Sequence, residues 1–475
     1  MRPGLLCIAQ SFAPDTTPTA IRASKLLEKL SARWEITVLT EAQRTQPDER
    51  MRVEVIPSRR PRRAFALLRK LRLNKLLELL VWPDEAIFWL VGAIRAGRRL
   101  IAERRPEAIV VFMMPYSAGL VGVALSRLTG LPLILNLDDS LTCSDMHPYF
   151  PTRLHHRLAT ALEDFYMRRA DAVVYVSQTN LDAVAARQGA GVRAKMHLVR
   201  YGADPADFQQ RPSGSEGSES GGESPASGGE SSASGGEGSE SGGEGFEIAY
   251  VGAMSGWWSL IGEQAAGGLG KRLYGAWTRF GRYRLTDLDP RTSSPAFVGG
   301  AVLDALAEHP DWRGRLRVMV YGNPYDHTVV ARALQSAGVQ EVVTVLDPVP
   351  HEQIAPLIAG ADLLFITLPK RVDGSAGGRI SAKTYEYLMT DRPILAAVPR
   401  GENWSYLQDK PGVWLVEPDD RRGMKAVVEE LVAAKLSGHP RTFDRWALRG
   451  ELSYDTRAAE LEDVIRAGIE RRRAS

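Results

Sequence analysis

The chain has only two cysteines, Cys7 and Cys143, in 475 residues. That is too few for a disulfide framework, and it points to a reducing compartment, the cytoplasm. Its eight histidines stand at no ligand spacing, so composition gives no metal signature. No apolar run reaches the roughly 18 residues that a membrane-spanning helix needs. The amino end, MRPGLLCIAQSFAPD, has an apolar run too short for a signal peptide and reads as a first strand entering a proline-containing loop. No G-x-G-x-x-G follows a strand, which disfavours a dinucleotide-dependent oxidoreductase.

What is present is enough apolar material, 44% of the chain, to fill two ordinary cores. The formal charge of +3 hides an asymmetry, because residues 212–245 hold seven Glu and no Lys or Arg, leaving the remainder at +10. That stretch is built of Gly, Ser and Glu, with no aromatic or branched aliphatic side chain to offset the entropy of ordering its backbone. It reads as a flexible acidic linker, 209–245, an expanded tether between two folded units.

On both sides of the linker, strand-like runs alternate with helical patterns, as in a parallel sheet wrapped by helices. The runs LLCIA, EITVLT, RVEVIP, AIVVFM, LPLILNL, AVVYVS and MHLVRY precede it; FEIAYVG, LRVMVYG, VVTVLD, DLLFITL, RPILAAV and VWLVEP follow. The expected units are residues 1–208 and 246–445, each a Rossmann-like doubly wound α/β domain, with 446–475 as a closing helical segment. In its helix, Leu461, Val464, Ile465 and Ile469 form one stripe fit to dock on a domain surface. Two such units face each other across a cleft at the carboxyl ends of their sheets, where ligands of open α/β sheets bind.

The stretch GGRISAKTYEYLMTDRPILAAVP, 377–399, falls on the rim of that cleft. Ser381 suits the N-cap of a helix from Ala382 to about Thr390, whose core face is Ala382, Tyr385, Leu388 and Met389. Lys383 and Glu386, three apart, share a neighbouring face. Glycines 374, 377 and 378 permit close backbone approach, and helix N–H groups with Lys383 suit a diphosphate. Glu386 is poorly placed for phosphate but accepts hydrogen bonds from vicinal ribose hydroxyls. A nucleoside diphosphate satisfies both charges; a solvated Lys–Glu pair is the plainer alternative.

In the first unit, LPLILNLDDS puts Asp138 and Asp139 at a strand's carboxyl end, as acceptor-side carboxylates or as helix N-caps. Asp139 is taken as the candidate proton acceptor; His147 and His155 are weaker alternatives. Arg22 either reaches an anion in the cleft or lies on a helix surface. Residues 59–75, RRPRRAFALLRKLRLNK, interleave eight Lys or Arg with Phe65 and four leucines. The segment is either a face for an anionic bilayer, implying a lipid-linked acceptor, or a solvated basic helix with inward leucines. Aromatic platforms and nucleic-acid motifs are missing beside it, so no nucleic acid is expected.

The segment SAKTYEYLMTDRPILA resembles the second-domain signature of retaining glycosyltransferases of family 4, which have the GT-B fold. Four further pieces agree in order: SFAPDTTPTAIRASKLLEKLSARWEITVLT, ALEDFYMRRADAVVYVSQTN, KMHLVRYGADPADF and VPHEQIAPLIAGADLLFI. The resemblance leaves out the acidic linker and residues about 255–300. It implies transfer of a sugar from a nucleoside diphosphate sugar to a glycan or lipid-linked acceptor, with retention and without metal or other cofactor. The second domain would hold the donor, and the enzyme would be cytoplasmic or peripheral at the inner face of the cell membrane.

Under this resemblance Glu386 matches the ribose-binding glutamate, whereas the first acid of the Glu-x7-Glu pair falls on Gly378. Backbone amides of Gly377 and Gly378, or Arg379, would have to position the donor sugar instead. A second departure follows strand FEIAYVG, where basic residues are missing until Lys271 and Arg272. Lys383 and Arg379 therefore become the partners of the leaving diphosphate, with Ser381 beside them, and Trp257 and Trp258 either stack on a ligand or belong to core and rim. The absent acid at 378 also admits a catalytically silent protein that binds nucleotide-sugar or glycan; a GT-B-fold epimerase is a further alternative.

Overall fold

The computed structural model describes residues 2–41, 50–145, 149–208, 245–252, 254, 256–257, 260–261, 269–323 and 326–474. Strands β1 (Gly4–Ala9), β2 (Glu35–Thr40), β3 (Met51–Val55), β4 (Ala108–Phe112) and β5 (Leu133–Leu137) come first. The short β6 (Tyr149–Phe150) stands apart, and β7 (Ala172–Tyr175) and β8 (Met196–Leu198) complete a seven-stranded parallel sheet of order β3-β2-β1-β4-β5-β7-β8. β4 and β5 are buried at every position, as strands covered on both faces must be. Register follows these apolar runs, with Cys7 beside Val38 on one side and Val110 on the other.

The second sheet is built from β9 (Phe246–Val251), β12 (Leu316–Tyr321), β13 (Val343–Leu346), β14 (Leu363–Thr367), β16 (Ile394–Ala397) and β17 (Val413–Val416). Its order is β13-β12-β9-β14-β16-β17, again all parallel. All thirteen strand-like runs read from the sequence are thus sheet strands. In both sheets the order reverses beside the first strand, at β1/β4 and β9/β14, which opens a crevice at the carboxyl ends.

The last helix, Tyr454–Ala474, does not pack on the second sheet that precedes it in sequence. Its Leu461, Val464, Ile465 and Ile469 join Ala23, Leu26 and Leu27 of helix Pro18–Leu30 on a face of the first sheet. Four such side chains contribute about 1.5–3 kcal/mol each on burial, enough to return the chain to its first unit. The acidic stretch 209–245 lies outside the described residues, apart from Gly245.

Two short strands, β10 (Tyr283–Arg284) and β11 (Leu288–Asp289), lay a bridge between the units. β10 pairs antiparallel with β6 of the first unit, and β11 pairs with β15 (Lys370–Arg371) of the second. Helix Leu269–Arg279 precedes them and leans on the first unit, where Lys75 donates to Trp277 O at 2.8 Å and Asn74 to Tyr274 Oη at 3.1 Å.

Candidate functional site

Helix Ala382–Leu388 ends two residues before the expected limit, because Thr390 N–H turns back to Tyr387 O at 3.1 Å. Tyr385, Leu388 and Met389 are buried as expected, whereas Ala382 is half-buried. Thr384 and Tyr387 are buried too, since the helix is wedged between sheet and neighbouring loops. Tyr387 Oη accepts the N–H of Val251 at 3.0 Å, which fixes the helix against the end of β9. Ser381 occupies the N-cap position but makes no side-chain capping bond.

This docking delivers Lys383 to the carboxyl end of β9. Its Nζ lies 4.9 Å from the centre of the Tyr250 ring. Gly252 follows with φ +119°, and a Cβ there would stand 2.8 Å from Lys383 Nζ. Only glycine leaves the ammonium room at this strand end. Lys383 makes no hydrogen bond or ion pair among the described residues, so the solvated Lys383–Glu386 pair is not formed. Glu386 is half-buried and borders a cavity of about 40 Å³ with Lys25, Asp204 and Tyr454, where the chain crosses between the units.

The loop before this helix lies directly on the first unit. Ser177 Oγ donates to Gly378 O at 2.7 Å, and a Cβ on Gly378 would stand 2.7 Å from Thr179 Cβ. The acid that the resemblance places at 378 has no room here. A Cβ on Gly377 would likewise meet Asp145 Oδ2 at 2.7 Å. Asp145 is held across the cleft by Arg371, with contacts of 2.9 Å from Nε and 2.6 Å from Nη2.

Beside this contact sits a carboxylate that sequence reasoning missed. Glu402 accepts from Ser177 Oγ at 2.6 Å, Gln178 N at 2.8 Å, Thr179 N at 3.0 Å and Arg200 Nη1 at 2.7 Å. It thereby satisfies the open N–H groups at the start of helix Gln178–Ala185. These hydrogen bonds hold its carboxyl below the usual range despite burial, which acts the other way.

On the first unit, Arg22 is neither on a helix surface nor free for a ligand. It is fully buried, donating to Asp138 Oδ1 at 3.0 Å and to Val199 O at 3.0 Å. Tyr201 Oη donates to Asp138 Oδ2 at 2.9 Å, so the two acceptor-side candidates are bound to each other and to the fold. Neither Asp138 nor Asp139 caps a helix; a turn follows them. Glu163 holds that turn from beneath, accepting from Ser140 Oγ and Leu141 N, both at 2.8 Å.

Asp139 is the more available carboxylate. Burial pushes it up to about 6, with the charges of Asp138 and Asp145 adding to the effect, while Ser144 Oγ at 2.6 Å and the Arg379 guanidinium oppose it. Arg379 makes no hydrogen bond or ion pair among the described residues, and it borders a cavity of about 20 Å³ with Asp145, Gly377 and Asn403. Asn403 is 2% exposed; its Oδ1 accepts from Thr384 Oγ1 at 2.9 Å, and its Nδ2 has no partner among the described residues. Asp139 and Arg379 thus face each other from opposite units, a carboxylate able to take a proton near neutrality opposite a cation.

The weaker candidates sort cleanly. His155 is buried between Thr152 Oγ1 at 2.8 Å and Leu79 O at 3.2 Å, and His147 lies outside the described residues. Trp257 is in the core of the second unit, and Trp258 lies outside the described residues. A larger cavity, about 410 Å³, opens on the first unit between Arg69, Asn74, Glu78, Asp84 and Tyr149. Among the described residues no three His, Cys, Asp or Glu gather as a metal cluster.

Two parallel doubly wound units meeting across this cleft define the GT-B glycosyltransferase fold. Residues 19–202 match the family profile described as the glycosyl transferase 4-like domain. Among curated proteins none matches the sequence significantly. The Anabaena protein Alr3699/HepE, solved in complex with UDP-glucose, is 14% identical with a TM-score of 0.54, over 98% of this chain and 99% of that one. Sucrose-phosphate synthase from Thermosynechococcus elongatus is 12% identical with a TM-score of 0.58, over 98% of both chains. Trehalose 6-phosphate synthase from Burkholderia multivorans is 14% identical with a TM-score of 0.56, also over 98% of both.

Proposed function

We propose that the chain is a retaining glycosyltransferase that moves a sugar from a nucleoside diphosphate sugar to a glycan or lipid-linked acceptor. The observation that carries this reading is Lys383, a cation without an ion-pair partner among the described residues, set at the end of β9 three residues before Glu386. In this assignment Lys383 and Arg379 neutralise the leaving diphosphate, with Ser381 and the Gly377–Gly378 backbone beside them, and Glu386 takes the ribose hydroxyls. Asp139 accepts or orients the acceptor hydroxyl. Asp138 and Arg22 act as positioning residues that fix the strand end carrying Asp139. No metal or cofactor is assigned, because charge neutralisation is allotted to side chains.

The working units are residues 1–208 for the acceptor, 246–445 for the donor and 446–475 as the returning helix, with 209–245 as tether. The 410 Å³ cavity on the first unit is of a size to take an acceptor head group. No described helix is long and apolar enough to cross a membrane, and the reading places the enzyme in the cytoplasm, at the inner face of the cell membrane. A thermal-shift screen of nucleoside diphosphate sugars, followed by measurement of released nucleoside diphosphate, tests it. A silent donor-binding scaffold is favoured by one observation, the lack of room for an acid at 378; it would shift in melting temperature yet release nothing.

A further inference from the structure

The bridge helix Leu269–Arg279 carries a stripe that faces outward. Leu273 and Trp277 of the helix, with Phe280 just past its end, stand at i, i+4 and i+7, and they are 63%, 45% and 75% exposed. A helix that spends its apolar stripe on water in this way has a second surface to cover. Its other face, through Tyr274, meets the basic segment of the first unit: Asn74 donates to Tyr274 Oη, and the Arg72 guanidinium lies 5.9 Å from the same ring.

That basic segment buries only part of its leucines: Leu77 is buried and Leu68 and Leu73 are half-buried, but others stand in the open. In helix Arg62–Lys70 Phe65 is buried, yet Leu67 and, just beyond the helix, Leu71 are each more than half exposed. Leu80 at the end of helix Asn74–Leu80 is 79% exposed. Arg62, Arg63, Lys70, Arg72 and Arg279, in the same segments, are exposed as well. The acids in the neighbourhood are taken up by arginines, Glu78 by Arg282 and Glu85 by Arg69, so the face is left cationic. Lys75 closes the seam, its Nζ 4.7 Å from the Trp277 ring and 5.1 Å from that of Phe280.

We infer that the helix Leu269–Arg279 of the second unit and the segment 62–80 of the first form one composite docking face for an anionic lipid bilayer. Aliphatic and aromatic side chains enter the interfacial region while the arginines and lysines meet anionic head groups. Because each unit supplies part of the face, docking holds the units in the juxtaposition that brings Arg379 to Asp139. The inference deepens the lipid-linked acceptor of the proposed function and rests on that reading only for its purpose, not for the contact itself.

The test is co-sedimentation of the full chain with phosphatidylglycerol-containing vesicles and with pure phosphatidylcholine vesicles, with light scattering on the free protein. The expected result is binding to the anionic vesicles that salt weakens, and a loss of about tenfold in affinity for Trp277→Gln/Phe280→Gln as well as for Leu67→Gln/Leu71→Gln. Thermal melts matching the parent chain keep a folding defect from mimicking the loss. Full vesicle binding by Trp277→Gln/Phe280→Gln overturns the composite face, as does a parent chain that ignores anionic vesicles or a dimer that these substitutions dissolve. Donor-induced thermal shifts in vesicle-free solution report on the glycosyltransferase reading separately: loss of that shift with vesicle binding intact rejects the function and leaves the face standing.

Discussion

Replacing Glu402 with alanine should open the contact between the two units. Its side chain is 7% exposed and accepts four hydrogen bonds, three from the start of helix Gln178–Ala185 and one from Arg200. Removal leaves the Arg200 guanidinium, 20% exposed, without the Glu402 counter-charge and leaves the Gln178 and Thr179 N–H groups without their acceptor, although Ser177 still caps the helix at Asn180 N. Breaking a buried ion pair by deleting one partner costs about 3–5 kcal/mol, and partial solvent access to Arg200 argues for the lower end, about 3 kcal/mol. Glu402→Gln keeps the shape but loses the charge, for a cost of about 1–2 kcal/mol. Urea denaturation reads the loss, and small-angle scattering reads separation of the units as a larger radius of gyration.

The pH dependence has a definite sign. The folded-state carboxyl of Glu402 is held below its ordinary value, so its contribution is complete above the unfolded value and fades as pH falls through the folded one. Acidification below about pH 4.5 should therefore reproduce the alanine phenotype in the parent chain and change the variant less. A Glu402→Ala chain as stable as the parent and unchanged in scattering would refute this account of the interface.

Asp139, raised to about 6, should give a transfer rate that climbs as pH rises through that region, and Asp139→Asn should abolish the acidic limb; a rate flat from pH 5 to 8, measured as released nucleoside diphosphate, would remove it as the proton acceptor. Its raised value has the opposite stability sign to Glu402, costing stability as pH climbs from about 4 to 6. Gly378→Glu should not restore the acid of the family pattern but force the loop off Thr179, costing about 1–3 kcal/mol by urea melt. A Gly378→Glu chain of parental stability with faster turnover would contradict the crowding seen there. Deleting 212–245 should leave both sheets folded by circular dichroism; loss of soluble protein would refute the tether.

The sheets were legible because their strands are buried on both faces and so are written as nearly continuous Val, Ile and Leu runs, such as AIVVF and LILNL. The returning helix was legible from one stripe, Leu461 to Ile469, although periodicity says only that it docks and not on which sheet. The site was half legible. Lys383 and Glu386 announce themselves by spacing on a short helix, but the Arg22–Asp138 pair joins residues 116 apart, and no local pattern encodes such a contact. Glu402 and Arg200 were invisible for the same reason, being 202 residues apart. The glycines at 377 and 378 were read as room for phosphate, whereas their lack of side chains is used here to let one unit lie against the other. The bridge helix fell in the part that no motif covered, and its outward aromatic stripe gains meaning only beside the basic segment it touches.

The central claim is that Lys383 and Glu386 grip the diphosphate and the ribose of one nucleotide, and calorimetric titration with a nucleoside diphosphate and its 2′-deoxy analogue tests it most directly. Lys383→Met should weaken both ligands by about tenfold or more, and Glu386→Ala should cost at least about 1 kcal/mol with the ribonucleotide but little with the deoxy analogue. Parental affinity in both variants, or an equal loss for both ligands in Glu386→Ala, would contradict it.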